Sequence, residues 1–310
     1  MAADSKVIFE DDDFEVVGTA GLNAEKISAP SITFWSDAWR RFRSNKLSML
    51  GLFILVIVIL MVTFGPVISG KDYQYIDYSV ANIRPNATYW FGTDEMGRDI
   101  FTRVCFGGRI SIIIGIACTL VSFVIGSALG GIAGYLGGKV DDFIMRIIEI
   151  ISSIPYLVLV VILSFVLGRG MVSLVFAMTI TAWTGTARMV RGQVMQLKGQ
   201  DFVAAATALG SSPARIIVKH LLPNTLGIII VNLTLSIPNF IFSESFLSYI
   251  GLGVQPPETS WGALASLYQT RLMFDPYQLF FPCLMIILTV LSFHLIGDGL
   301  TDALDPKLRK

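Results

Sequence analysis

Residues 110–138 read ISIIIGIACTLVSFVIGSALGGIAGYLGG, 29 positions without one Asp, Glu, Lys or Arg. At about 1.5 Å of rise per residue, a helix of that length exceeds the roughly 30 Å hydrocarbon core of a bilayer. Five further charge-free runs share the chain with it: Leu47–Gly70, Ile150–Gly168, Gly170–Ala187, Leu221–Ser243 and Pro276–Gly297, of 24, 19, 18, 23 and 22 residues. Each can cross or nearly cross a membrane, and the expectation is an all-α polytopic membrane protein with six transmembrane helices. The 310-residue chain is 54% hydrophobic and only 15% charged, with a mean hydropathy of +0.68. The longest piece outside those runs has 46 residues, short of the roughly 50 that a small folded domain needs. Composition therefore excludes a soluble enzyme, a nucleic-acid binder and a membrane protein with its own nucleotide domain.

Formal net charge is zero, but its distribution carries a direction. With a cytoplasmic N-terminus and six spans, 16 Lys and Arg fall inside and 7 outside, and Arg40, Arg41, Arg43 and Lys46 abut the first span. That excess fits the positive-inside rule and places both termini in the cytoplasm. Residues 1–30 are acidic and lack an apolar segment, so no signal peptide is expected. The run Glu10–Asp13 with Glu15 reads as a solvated tail, and Trp35, Trp39 and Phe42 among arginines read as an amphipathic lead-in at the membrane interface. The three cysteines and two histidines form no close pair and no metal-binding spacing.

Gly126, Gly130, Gly134 and Gly138 follow one another at intervals of four, which puts them on one helix face where another backbone can approach closely. Two uses fit that stripe: packing within the chain, or contact with a partner that slides during transport. Pro155, Pro238 and Pro282 interrupt other spans, and such breaks often bend around a pathway. Asn239 and Glu244 close the fifth run. A carboxylate near membrane depth is costly, so Glu244 either lines a pathway or gate or serves as a polar group at the outer interface.

Between the fourth and fifth runs the local grammar changes. Asp201 can cap a short helix, Phe202-Val203-Ala204-Ala205-Ala206-Thr207-Ala208-Leu209, and Gly210 suits the left-handed residue that ends it. Ser212 can cap a second short helix with Pro213 in its first turn, running through Arg215 to Lys219, before His220 and Leu222-Pro223 lead back to the membrane. Two short helices at a fixed angle make a stiff knob able to transmit force.

This string resembles the EAA loop of ABC-importer permeases: Ala205, Ala206, Gly210 and Leu222-Pro223 match the family pattern, and Ala204 stands where the family has Glu. Phe91-Gly92-Thr93-Asp94 through Gly97-Arg98-Asp99 to Arg103 is similar to the FGTDxxGRDxxSR signature of dipeptide and oligopeptide permeases. Leu247–Pro257 with Trp261-Gly262 resembles their LSFLGLGxxPPxxxWG segment, and Gly297-Asp298 with Asp302–Pro306 their GDxxxDxLDP ending. The resemblance covers most of the chain beyond residue 30 and points to the C-type permease subunit of a bacterial peptide importer. It implies the type I ABC-importer permease fold in a bacterial inner membrane. The parts would be a tail and lead-in over 1–46, a first span over 47–70, an outer loop over 71–109, a core over 110–298 with a coupling loop at 199–223, and a tail over 299–310.

The resemblance further implies partners: a sister permease, two ATP-binding subunits that dock on the knob, and an extracellular or periplasmic receptor that delivers peptide. ATP and Mg would sit on the ATPase subunits, with no cofactor in this chain and no nucleic acid. The chain cannot hydrolyse ATP itself: around Gly138-Lys139 the phosphate-loop spacing fails, with Ala133 and Val140 at the required Gly and Ser/Thr positions. Gly251, Pro256, Pro257 and Trp261 suit a shaped outer loop that docks the receptor or gates the pathway. Three alternatives stay open: a nickel or other small-solute importer sharing these signatures, a secondary transporter, and an intramembrane hydrolase. No internal repeat favours the second, and no GxSxG, HExxH or paired intramembrane Asp favours the third.

Overall fold

A computed structural model describes residues 34–168 and 170–304. The acidic run at 10–15, Arg169 and the Asp305-Pro306 ending lie outside the described residues. Among those described, regular structure is helical apart from an isolated bridge between Thr93 and Asp99. The helices are α1 (Phe34–Ser44), α2 (Lys46–Ser69), α3 (Ile100–Leu136), α4 (Gly138–Ser152), α5 (Tyr156–Leu167), α6 (Met171–Lys198) and α7 (Asp201–Ala208). Then come α8 (Pro213–Arg215), a π-helical stretch (Ile216–Leu221), α9 (Leu222–Tyr249), α10 (Trp261–Tyr268) and α11 (Pro276–Leu304).

Four helical rods are long and apolar enough to cross a membrane: α2, α3, the continuous run Pro213–Tyr249, and α11. α4 and α5 qualify only together, as a pair bent by 84°. The expected third span, Ile150–Gly168, is thus not one rod. Pro155 disfavours helical backbone at Ile154, and the chain turns over Ser153–Pro155. α6 is 28 residues long, but Thr179, Thr181, Thr184, Thr186 and Arg188 dilute its apolar character. The all-α polytopic reading holds, while the count of six is not exact: among the described residues four helices, or five with the bent pair, pass on length and composition.

The outer loop is also shorter than expected, because α3 begins at Ile100 rather than Ile110. Asp99 caps it, its carboxylate accepting from the Thr102 amide at 2.9 Å. Arg109, the residue that ended the charge-free reading, is put to structural use. Pro66 in α2 has no N–H, which leaves the Val62 carbonyl one turn back without its helical donor. Arg109 Nε donates to that carbonyl at 2.9 Å and its guanidinium also reaches the Thr63 carbonyl at 2.6 Å. A charge beside the membrane is thereby spent on satisfying backbone oxygens.

α3 is the central helix, with α6 beside it in the same direction and α2 and α9 antiparallel. Gly126 faces Thr186, with a methyl on it only 2.6 Å from the Thr186 Cβ; Gly130 faces the Ala187 backbone; Gly134 lies against Arg191 and Val194. The stripe therefore packs within the chain. Gly138 is not part of it: its φ of +52° turns the chain into α4, and a side chain there would meet nothing within 4 Å. One end of the bundle carries the 71–99 loop and α10, which we call the loop end. The opposite, knob end carries α1, α7 and the last turns of α11.

Candidate functional site

The knob is built as follows. α7 spans eight residues, with Val203 and Ala206 buried against Val190, Val194, Ile216, Ile217 and Leu221. Its outer face leaves Asp201, Ala204 and Ala205 exposed, with Phe202 at 39% and Leu209 at 86%. Two expectations are corrected. Gln200, not Asp201, holds the cap position, and Asp201 is the first helical residue, where its charge still complements the helix dipole. The second short helix is not separate. From Pro213 the chain runs unbroken to Tyr249, and Pro223 lies inside that rod. Lacking an N–H and crowding the carbonyl one turn back, Pro223 is preceded by a turn in π register, where the Leu222 amide reaches the Ile217 carbonyl. Asn224 adds a bond to the His220 carbonyl at 2.6 Å.

Gly210 has φ +77°, and Ser212 Oγ accepts from the Arg215 amide at 3.4 Å with Pro213 in the first turn. The turn between α7 and the long rod is thus set by one left-handed residue and one cap. Ser212, Pro213 and Arg215 are exposed, as is Val218. Together with Phe202 and Leu209 they give the knob a partly apolar outer surface.

Behind the knob, Asp141 of α4 accepts two bonds from Arg191 of α6, both at 2.5 Å. This fork-to-carboxylate pair fixes α4 across the α6 segment that leads into α7. Fifty residues apart in sequence, the two carried no local signal. Asp141→Asn loses one acceptor oxygen and the charge, and should lower unfolding stability in detergent by about 2 kcal/mol. A thermal midpoint equal to wild type would remove the latch from this account.

At the loop end the outer segment folds onto α3. Trp261 is completely buried, with Nε1 donating to the Val104 carbonyl at 2.9 Å. Gly108 makes room for its ring, where a Cβ would come within 2.5 Å of the Trp261 side chain. Trp261 is therefore a core anchor; the docking or gating role expected of it does not fit its burial. Glu244 is corrected in the same way. It is completely buried and accepts from Ser111 at 2.8 Å and Ser248 at 2.7 Å, with Ser245 at 3.5 Å. It joins α3, α9 and the start of α10 instead of lining an open passage. Gly251, Pro256 and Pro257 are exposed beside this node, and Asn239 is exposed with its amide donating to the Leu235 carbonyl at 2.9 Å.

A second polar node was hidden in the signature around Asp94. That carboxylate is buried and accepts from the Met96 and Arg98 amides and from Arg98 Nε at 2.8 Å. Tyr268 of α10 packs beside it, and burial pushes its phenol up from its ordinary value.

Residues 126–310 match the family described as binding-protein-dependent transport system inner membrane component, and residues 33–86 match the N-terminal TM domain of oligopeptide transport permease C. The chain is 48% identical over 297 residues to the oligopeptide transport system permease protein OppC of Bacillus subtilis, covering 96% of this chain and 97% of the relative. It is 47% identical to the dipeptide transport system permease protein DppC of the same organism, covering 93% and 90%. To OppC of Escherichia coli K12 it is 40% identical, covering 92% and 95%. Among solved structures, the MetNI methionine ABC transporter in an inward facing conformation aligns with a TM-score of 0.53 at 21% identity, over 66% of this chain and 96% of that chain. That likeness concerns the fold alone. The chain belongs to the binding-protein-dependent transport system inner membrane components, as a permease subunit of type I ABC-importer fold.

Proposed function

We propose that this permease forms, with a sister permease, the membrane pathway of an ATP-driven importer for oligopeptides or dipeptides. Relatives at 40–48% identity named for those substrates support the substrate class. The observation that carries the coupling half is the knob: its inner face is buried on α6 and the long rod, while its partly apolar outer face is uncovered in the single chain. Two ATPase subunits, holding ATP and Mg, would cover that face and push the α7 turn. The α6–α9 unit would then move as a rigid body, and access to a central cavity would alternate between the two membrane faces. On this reading the knob end is cytoplasmic, with both termini, and the loop end meets an extracellular or periplasmic binding protein.

The test is uptake of labelled peptide into vesicles carrying the assembled subunits and loaded with ATP. Peptide uptake that requires ATP supports the reading; uptake of nickel instead, or uptake driven by an ion gradient, overturns it. Gly210→Val adds a direct check on coupling. Nothing crowds that position, but a β-branched residue at φ +77° is strained. The variant should fold and bind ATPase, yet lose most ATP-driven uptake; wild-type uptake would exclude the α7 turn as the transmitting joint.

A further inference from the structure

A cleft of about 710 Å³ opens at the loop end, between the 71–99 loop, the first turn of α3 and the 254–270 segment. Its size falls within the range of small-ligand sites, about 300–1,000 Å³. Arg98, Arg103, Gln74, Thr259 and Thr270 line it, and Glu258 is the one acidic side chain among the lining residues, exposed to solvent.

Arg103 is the unusual member. It is only 7% exposed, its Nε has no hydrogen-bond partner, and Asp94 Oδ2 lies 3.9 Å away. That carboxylate is already committed to the Met96 and Arg98 amides and to Arg98 Nε. Two guanidinium groups therefore share one carboxylate; Nε of the second has no acceptor, the Tyr268 hydroxyl lies beside that guanidinium, and Arg103 forms part of the cleft wall. A buried charged donor without an acceptor is costly. A second carboxylate entering the cleft would supply what is missing, in the planar geometry that a guanidinium fork matches.

We infer that this cleft receives the terminal carboxylate of a short peptide, with Arg103 as its charge partner and Arg98 beside it. The inference rests on the peptide-import reading and adds a subsite on this chain. An acidic side chain of a docked protein offers the same chemistry, but a cation more than nine-tenths buried favours a slender chain end over a broad protein surface. The hydroxyls of Thr259 and Thr270 and the amide of Gln74 can bond backbone groups of any peptide, so binding there would not depend on side-chain sequence.

The assembled importer in lipid nanodiscs, without binding protein, is incubated with a tetrapeptide carrying a diazirine on its first residue, either as the free acid or as the C-terminal amide. Cross-links are mapped by mass spectrometry. The acid should label residues 254–270 or 96–103 about tenfold more than the amide, as expected for one charge-assisted contact. Arg103→Met should bring the acid down to the level of the amide. Thr270→Trp, an exposed change at the cleft wall, should block labelling sterically and keeps the test open if the Arg103 variant does not assemble. Equal labelling by acid and amide, labelling elsewhere, or indifference to both substitutions overturns the subsite. So does a result in which Arg103→Met weakens capture of the binding protein but peptide never labels the cleft, because that assigns Arg103 to a docked protein. Peptide uptake that persists while the subsite fails leaves the import reading standing; wild-type vesicles that take up no peptide remove the reading itself.

Discussion

Glu244→Leu is expected to abolish stable assembly of the loop end, with a loss on the order of 3–5 kcal/mol. The reason is a relay rather than a single bond. The Trp261 amide donates to Ser111 Oγ at 3.2 Å, and Ser111 Oγ donates to Glu244 Oε2 at 2.8 Å. The Val254 amide donates to Ser248 Oγ at 3.3 Å, and Ser248 Oγ donates to Oε1 at 2.7 Å. Each serine thus passes a backbone N–H on to one carboxyl oxygen, and all three side chains are buried. Leucine at this position leaves two buried hydroxyls without acceptors and loosens the start of α10 from α3. Glu244→Gln separates geometry from charge. Its single amide oxygen serves one serine, while its NH2 faces the other, which can accept from it and keep its backbone donor but leaves its own O–H without an acceptor. An intermediate loss of about 1–2 kcal/mol follows. Thermal unfolding of the purified subunit complex reads all three proteins. A leucine variant within about 0.5 kcal/mol of wild type would show that the serines find other partners and that the node is dispensable.

The helices of this fold were largely legible because charge-free runs of 18 or more residues admit few alternatives. Their ends were not. Arg103 and Arg109 interrupt the hydropathy of α3 but not its helix: the α2 carbonyls receive Arg109, and Arg103 packs into a polar node 3.9 Å from Asp94. Ile150–Gly168 reads as continuous because a proline in a membrane helix can be a tolerated kink, whereas Pro155 stands between α4 and α5 at a bend of 84°. The exposed knob was legible from Gly210 and Ser212, whose local chemistry decides their backbone. Roles that depend on which residues meet across the bundle were not. Glu244 needed Ser111, 133 positions away, to become a packing node, and Trp261 needed Gly108 to become core. Local signals report on turns and caps; burial of a polar side chain is decided by neighbours that the chain brings from elsewhere.

Gly130→Leu is expected to separate α3 from α6 and to abolish transport. A Cβ on Gly130 would collide with the Ala187 carbonyl oxygen and stand 3.0 Å from the Ala187 Cα, so the obstacle is backbone and cannot rotate aside. Even alanine forces the two helices apart here, at a cost of about 1–3 kcal/mol, and leucine costs more. The displacement would not stay local. One turn on, Gly134 rests against the Arg191 carbonyl, and Arg191 holds Asp141 of α4 through both its bonds. Pushing α6 outward at Ala187 therefore shifts the segment that carries the latch and, beyond it, α7. Gly192 on the same helix provides the contrast. Nothing lies within 4 Å of a Cβ placed there, so Gly192→Ala should be neutral or stabilising by up to about 1 kcal/mol through helix propensity alone. The opposite signs of these two glycine substitutions, read as thermal midpoints and as ATP-driven uptake, test whether close approach of α3 to α6 sets the position of the knob. If Gly130→Ala proved as benign as Gly192→Ala, the small-residue stripe would be a passive seam, and the force delivered to α7 would have to travel by another helix.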